Sequence, residues 1–417
     1  MQTFVIQGGR RLEGDMTVQG AKNSALPILA ATLLCQGEST LTNCPKLSDV
    51  YAACRILGSI GARCVMQGHS VTVRADAPSR AVIPEDLMQE MRSSIIFLGA
   101  MLGRMGQCSL GFPGGCELGP RPIDLHLQAL RRMGVRITEE NGILTCTVPK
   151  GLHGARIHLQ FPSVGATENI LLAAVLAAGD TVITNAAREP EITDLADFLT
   201  KCGAKIEGAG TGTIRIRGVK QLTGCEHRIM PDRIVTATWL ACAAATGGEL
   251  RLLHTDDASL TGILDVFEEM GGSCSRSQDS ICFSGRKPIQ PLRYIKTMPF
   301  PGFPTDAQAI VMAVLCKANG TSVMEETIFE NRFRHVDALV RMGADIRIAG
   351  RAAVIRGVRQ MHGAVVSATD LRGGAAMLTA ALGAEGETVL TEISHIDRGY
   401  DSPELALQAV GARIERK

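Results

Sequence analysis

The stretch Asp124-Leu-His-Leu-Gln-Ala-Leu-Arg-Arg-Met-Gly134-Val-Arg-Ile137 decides how the rest of the chain is read. Its first ten residues form an amphipathic helical pattern, the glycine suits the left-handed position that closes a helix, and the residues after it read as a strand. The same helix, glycine and strand sequence recurs as Ser59-Ile-Gly61-Ala-Arg-Cys64, Lys201-Cys-Gly203-Ala-Lys-Ile206, Glu269-Met-Gly271-Gly-Ser-Cys274, Arg341-Met-Gly343-Ala-Asp-Ile346 and Ala409-Val-Gly411-Ala-Arg-Ile414. Successive glycines lie 68 to 73 residues apart, so the chain is a sixfold internal repeat.

A second glycine turn precedes each of these by 23 to 28 residues, at Gly37, Gly106, Gly179, Gly247, Gly320 and Gly386. Each follows an almost uncharged Ala/Leu-rich stretch, such as Ile170 to Ala178 or Ala375 to Leu382. A segment apolar on every side is a buried helix. Each repeat therefore reads as buried helix, strand, surface helix, strand and further strand. At 417 residues the chain is long enough for at least two cores, and three repeats per domain is the economical grouping. Two strand-like segments, Thr3 to Ile6 and Met16 to Val18, precede the first helix, whereas the last repeat stops after one strand. We expect the N-terminal strands to complete the sixth repeat. One domain then spans 22–229, the other combines 1–21 with 230–417, and the class is α/β (α+β).

Composition removes several function classes. Lys plus Arg is 43 and Asp plus Glu is 42, so nothing draws the chain generally to nucleic acid or anionic lipid. The longest runs free of charge, 15 residues, fall short of the ~20 that a membrane span needs. No secretory leader is visible in Met1 to Arg10. Thirteen cysteines without a C-x-x-C pair fit thiols in a reducing cytoplasm better than disulfides or zinc. Walker A, H-E-x-x-H and G-x-S-x-G sequences are absent, and Gly208-Ala-Gly210-Thr-Gly212, between two strand segments, reads as a hairpin.

Chemistry concentrates at the starts of the buried helices: Lys22-Asn23-Ser24, Arg92-Ser93-Ser94, Ser163 to Thr167, Asp232-Arg233, Thr305-Asp306 and Asp370-Leu371-Arg372. Capping accounts for the Ser, Thr, Asn and Asp, but Lys22, Arg92 and Arg372 stand at the unfavourable end of a helix dipole. A bound anion between each cation and the free N–H groups rationalises them. The loop Gly111-Phe-Pro-Gly-Gly-Cys116-Glu-Leu-Gly-Pro-Arg121-Pro122 holds four Gly and three Pro in twelve residues. Its thiol lies near Arg121 and the helix starting at Asp124, both of which favour thiolate.

These residues together resemble the UDP-N-acetylglucosamine 1-carboxyvinyltransferase family of enolpyruvyl transferases. The resemblance runs through Gly20-Ala-Lys22-Asn23-Ser-Ala-Leu-Pro27, the cysteine loop with Arg121-Pro-Ile-Asp124-Leu-His126, Phe161-Pro-Ser163-Val-Gly-Ala-Thr167, and Arg188-Glu189-Pro-Glu191-Ile192. It continues through Met230-Pro-Asp232-Arg233, Gly302-Phe-Pro-Thr305-Asp306, Glu330-Asn331-Arg332-Phe333, Asp370-Leu-Arg372-Gly373 and Asp397-Arg398-Gly-Tyr400. It implies a two-domain inside-out α/β barrel with six βαβαββ units. It also implies addition of the sugar 3′-hydroxyl to C2 of phosphoenolpyruvate, with loss of phosphate from a tetrahedral intermediate and with neither metal nor cofactor. Carried onto this chain, the resemblance makes Asp306 the base and Cys116 the loop thiol that forms a covalent adduct and shares in acid catalysis or product release. Lys22, Arg121 and Arg398 become phosphoenolpyruvate ligands, with Arg92 nearby. Asn23, Asp306 and Arg332 surround the sugar. Arg121, Pro122, Ile123, Asp124 and Leu125, with Ser163, Val164, Gly165 and Ile328, surround the uridine and pyrophosphate, and Asp370 and Arg372 support the reacting centre.

Two positions depart from the family pattern: Val235 stands where many members have Glu, and Phe161 where some have Lys. The alternatives are the shikimate-pathway enolpyruvyl transferase, which lacks the cysteine loop, and a catalytically silent UDP-sugar-binding paralogue. The resemblance also implies that the epoxide fosfomycin alkylates Cys116. Peptide mass mapping after treatment is expected to place the added mass there, and a label on a different cysteine contradicts the assignment.

Overall fold

The structure, a computed structural model, describes residues 2–111 and 123–417. The chain divides into two compact units, one of residues 2–19 with 231–417 and one of 20–111 with 123–230. The divisions fall after Gln19 and Met230, slightly outside the expected positions. Local bonding explains the difference: the Ala21 N–H donates to the Met230 carbonyl at 2.7 Å, and Asn43 Nδ2 donates to the Ile229 carbonyl at 2.9 Å. Gly20 lies so close to the Asn43 carbonyl that a Cβ would sit 1.8 Å from it.

The unit of residues 20–111 and 123–230 buries the helices Lys22–Thr32, Phe97–Met105 and Val164–Ala174. The other buries Arg233–Thr246, Thr305–Leu315 and Leu371–Gly383. In the fourth helix every residue from Arg233 to Ala245 is buried, which is why, beyond Arg233, it is built from Ala, Ile, Val, Leu, Trp, Thr and Cys with no polar stripe. Small residues also let the helices approach closely: a Cβ on Gly99 would meet the Asn169 carbonyl oxygen at 2.3 Å. The second helix departs from the expected start, because Arg92–Ile96 is a 3-10 turn and the α-helix begins at Phe97.

Around each set of helices stand three four-stranded sheets among the described residues. In each, the strand after the buried helix pairs antiparallel with one strand of a hairpin and parallel with a strand from another repeat; Thr321–Glu325, for example, runs antiparallel to Ala352–Arg356 and parallel to Ile295–Lys296. The last repeat lacks its own hairpin partner, and Phe4–Gln7 supplies it between Glu387–Thr391 and Arg413–Arg416. The second N-terminal strand, Glu13–Thr17, does not join that sheet. It pairs parallel with Glu249–Leu253 of the fourth repeat, because every sheet takes its edge strand from a neighbouring repeat and this edge had no other donor. All six glycines that close the surface helices have φ between 95° and 107°, a region open to Gly at little cost.

Each unit has its own apolar core. In the unit holding the last three helices, Lys317 follows the helix Thr305–Leu315, and its Nζ donates to the carbonyls of Ala245 at 3.0 Å and Gly383 at 2.8 Å. One ammonium, carried just past the end of its own helix, thus caps the C-terminal ends of two others, where the dipoles favour a cation, and burial lowers its pKa. We expect Lys317→Met to destabilise this unit by ~1 to 3 kcal/mol, the cost of unsatisfied carbonyls plus a lost dipole contact. Urea unfolding followed by the fluorescence of Trp239, the sole tryptophan and buried in the same unit, measures it.

Candidate functional site

The strongest grouping of predicted residues lies at the start of the fifth buried helix. Asp306 sits in its first turn, and its side chain keeps 29% of its surface exposed, so it can be reached from solvent. Arg332 Nη2 donates to Asp306 Oδ1 at 2.8 Å and to the Thr305 carbonyl at 3.3 Å, while Arg372 Nη2 donates to Asp306 Oδ2 at 3.2 Å. The arginines are themselves buried, at 3% and 8% exposure, so the carboxylate is the accessible member of the cluster. Burial by itself raises the carboxyl pKa, but the charges of Arg372 and Arg332, with Arg233 behind them, outweigh it and hold Asp306 far below the usual carboxylate range. Asp306 is therefore not an N-cap; its oxygens are committed to guanidinium groups.

The supports of this cluster come from elsewhere in the unit. Asp370 caps the sixth buried helix by accepting from the N–H groups of Arg372 and Gly373, fixing the backbone from which the Arg372 side chain leaves. The Arg332 guanidinium stacks over Phe329 at 5.4 Å. Glu326, 1% exposed, was not singled out from the sequence, yet it ties the region together. Its Oε1 accepts from Thr297 Oγ1 and from the N–H groups of Ile328 and Phe329, and its Oε2 accepts from Thr305 Oγ1 at 2.8 Å. A lone Glu in a Glu-Glu-Thr run carries no periodic signal that could have revealed this. Arg398 follows the short helix Ser394–Asp397 and is half-buried. Val235 is buried, with its N–H bonded to the capping Asp232, and Phe161 is exposed.

In the other unit, Lys22 and Asn23 open the first buried helix, whose N-cap residue, Ala21, offers no side-chain cap. Lys22 Nζ pairs with Asp49 Oδ2 at 3.0 Å, and Asp49 is only 3% exposed. The cations that stood at the wrong end of a helix dipole thus have carboxylate partners from their own unit, Asp49 for Lys22 and Asp306 for Arg372. The dipole penalty alone does not require a bound anion at these two places, which corrects that step of the sequence argument.

Ile123, Asp124 and Leu125 begin the surface helix Asp124–Arg132, and Ser163, Val164 and Gly165 begin the third buried helix, where Ser163 Oγ accepts from the Ala166 N–H at 3.3 Å. Asn169, fully buried, joins these starts: its Nδ2 donates to His126 Nδ1 at 2.8 Å and to the Ile95 carbonyl, and its Oδ1 accepts from the Gly99 N–H at 2.7 Å. A Cβ on Gly165 would lie 3.0 Å from the His126 ring, so both starts are held in contact. Burial lowers His126 to about 4, and the ring is neutral at physiological pH. Glu168 on the same helix is 6% exposed, and burial, with the charges of Glu191 and Glu189, pushes it up to about 8. Cys116, Arg121 and Pro122 lie outside the described residues, as does the side chain of Arg92. Among the described residues no group of His, Cys, Asp and Glu is arranged to hold a metal ion.

Residues 6–404 match the family described as EPSP synthase (3-phosphoshikimate 1-carboxyvinyltransferase). The chain is 50% identical, over the whole of both proteins, to UDP-N-acetylglucosamine 1-carboxyvinyltransferase 2 of Caldanaerobacter subterraneus subsp. tengcongensis. It is 46% identical, again over the whole of both, to UDP-N-acetylglucosamine 1-carboxyvinyltransferase of Acinetobacter baylyi. Among solved structures it resembles the enolpyruvyl transferase NikO from Streptomyces tendae, with a TM-score of 0.90 and 26% identity over 100% of this chain and 99% of that one. EPSP synthase from Acinetobacter baumannii, 19% identical over the whole of both chains with a TM-score of 0.77, shares the fold.

The raised carboxyl of Glu168 has a measurable consequence. The folded chain holds its proton above the ordinary value of 4.5, so this stabilisation is complete below pH 4.5 and is lost as pH rises to about 8. Glu168→Gln, neutral at every pH, is expected to gain on the parent by up to ~1 kcal/mol per pH unit across that window and to level off above it. Urea unfolding of both proteins at several pH values tests this; a difference independent of pH contradicts a buried neutral Glu168.

Proposed function

Because the chain belongs to the UDP-N-acetylglucosamine 1-carboxyvinyltransferase family of enolpyruvyl transferases, we propose a division of labour among its residues for that reaction. The reaction moves the enolpyruvyl group of phosphoenolpyruvate to the 3′-hydroxyl of UDP-N-acetylglucosamine, releases phosphate, and serves peptidoglycan synthesis. It needs a base for the hydroxyl proton, an acid for the methylene carbon, and cations for the phosphate and carboxylate.

Asp306 is the base. The observation that carries this reading is its reachable carboxylate between Arg332 and Arg372 at a helix start. A carboxylate so held is ionised but weakly basic. Substrate groups that draw either guanidinium away raise its basicity at the moment of proton transfer, and the released guanidinium meets developing negative charge. Lys22, Arg121 and Arg398 bind phosphoenolpyruvate, with Arg92 beside them. Cys116 forms the covalent adduct and takes part in acid catalysis or product release. Asn23 and Arg332 hold the sugar. Pro122, Ile123, Asp124, Leu125, Ser163, Val164, Gly165 and Ile328 hold the uridine and pyrophosphate, and Asp370 and Arg372 fix the base. No cofactor or metal enters this scheme. No described helix is long and apolar enough to cross a membrane, and the many free, mostly buried thiols support work in the cytoplasm.

We expect phosphate release from phosphoenolpyruvate to depend on UDP-N-acetylglucosamine and to be unaffected by a chelator. Release driven by shikimate 3-phosphate instead overturns the choice of acceptor. Asp306→Ala is expected to lower kcat by ~10²-fold or more while UDP binding, followed by calorimetry, survives; undiminished turnover removes the base assignment.

A further inference from the structure

Lys22 and Asn23 sit between two anchor points, and both lead to one buried carboxylate. On the C-terminal side of the pair, Ser24 is fully buried and its Oγ–H donates to Asp194 Oδ2. On the N-terminal side, the Ala21 N–H donates to the Met230 carbonyl at 2.7 Å, and the Met230 N–H donates to the same Asp194 Oδ2 at 3.1 Å. Asp194 lies on the helix Pro190–Lys201 and is 9% exposed. Its other oxygen, Oδ1, is 2.9 Å from Nε2 of His227, a residue 3% exposed. Lys201 Nζ, on the exposed side, is 3.2 Å from His227 Nδ1.

The donors and acceptors along this chain determine one another. An ammonium can only donate, so Nδ1 of His227 accepts and Nε2 carries the proton that it gives to Asp194. Asp194 then receives three donors and gives none, which only the ionised carboxylate can do. The first turn of the helix Lys22–Thr32 has no capping side chain of its own, and Asp194 places negative charge there from a neighbouring helix. A buried charge is a poor way to gain stability, since well-packed apolar groups do as well, but it fixes geometry through directional bonds.

We propose that Asp194, oriented by His227 and Lys201, is a positioning residue that sets where Lys22 and Asn23 meet substrate. The proposal rests on the assignment of Lys22 and Asn23 to substrate made above. The bonding itself supplies a test that a packing role does not. In Asp194→Asn, the amide oxygen must stay with Ser24 and Met230, so the amide N–H₂ faces His227 Nε2–H. His227 can relieve this only by moving its proton to Nδ1, and that proton then meets the Lys201 ammonium. Lys201→Met removes the second conflict and leaves Nδ1–H to water.

The experiment measures steady-state kinetics of the full chain as parent, Asp194→Asn, Asp194→Asn with Lys201→Met, and Lys22→Ala. Circular dichroism checks folding, and calorimetry follows UDP binding. Asp194→Asn is expected to lower kcat/KM for phosphoenolpyruvate by ~10- to 100-fold, the scale of a small misplacement of a binding group, with UDP affinity little changed. Addition of Lys201→Met is expected to recover several-fold of that loss. If Asp194→Asn does not fold, Ser24→Ala, which removes one donor and little volume, is expected to lower kcat/KM in the same direction. A folded Asp194→Asn within threefold of the parent, or a loss that Lys201→Met does not relieve, overturns the proposal. Lys22→Ala separates the two readings. If it is inactive while Asp194→Asn is active, only the positioning role falls; if Lys22→Ala keeps full activity, the assignment of Lys22 falls and takes the proposal with it.

Discussion

A helix packed on every side by other protein cannot carry a polar group along its length unless that group finds a partner inside. This constraint governs both units. Each centres on three helices rich in Ala, Leu, Ile, Val and Gly, whose backbones come close enough that Gly99 tolerates no side chain against Asn169. Most of the charge therefore sits at the helix ends, while polar groups within the helices, such as Asn169 and Thr238, are bonded to neighbours inside. Lys317 collects two carbonyls where three C-termini meet, and Asp306, Arg372, Ser163 and Lys22 crowd into the first turns.

At those first turns the charges are balanced locally. Arg332 and Arg372 meet on Asp306, Lys22 meets Asp49, and Asp370 and Asp232 cap the helices from which Arg372 and Arg233 emerge. Within each unit these groups are thus ionised and partly desolvated, the kind of arrangement that the proposed electrostatic role calls for. Under the proposed assignment of Asp306 it also carries a cost, because a carboxylate clasped by two guanidiniums is a weak base. In that proposal, tight pairing at rest and basicity during reaction are reconciled by substrate anions competing for the arginines.

Glu326, Asn169 and Asp194 play a common part. Each is a buried polar side chain with at least three hydrogen bonds, and each joins segments well separated in sequence: Thr297 with Ile328, Gly99 with His126, Ser24 with Met230. Such groups add little net stability, yet they remove the freedom of neighbouring segments to slide, which apolar packing alone permits.

The sixfold repeat, the helix-closing glycines and the apolar character of the central helices were legible in the sequence, because each depends on spacing and on residue type at short range. So was the concentration of Lys22, Asn23, Asp306, Asp370 and Arg372 at helix starts. Membership of strands in sheets was legible only in part: Phe4–Gln7 completes the last repeat as expected, but Glu13–Thr17 pairs with the fourth, a choice set by which sheet edge lacks a partner. The partners of the charges were not legible at all. Asp49 lies 27 residues from Lys22, Arg372 lies 66 from Asp306, and Asp194 lies 170 from Ser24. Periodicity reports which face of an element is buried and never what it meets there. Folding alone decided that Asp306 is clasped, that Lys22 is paired, and that one carboxylate holds both sides of the segment carrying Lys22, since a hydrogen bond is fixed by distance in space and sequence separation places no mark on either residue.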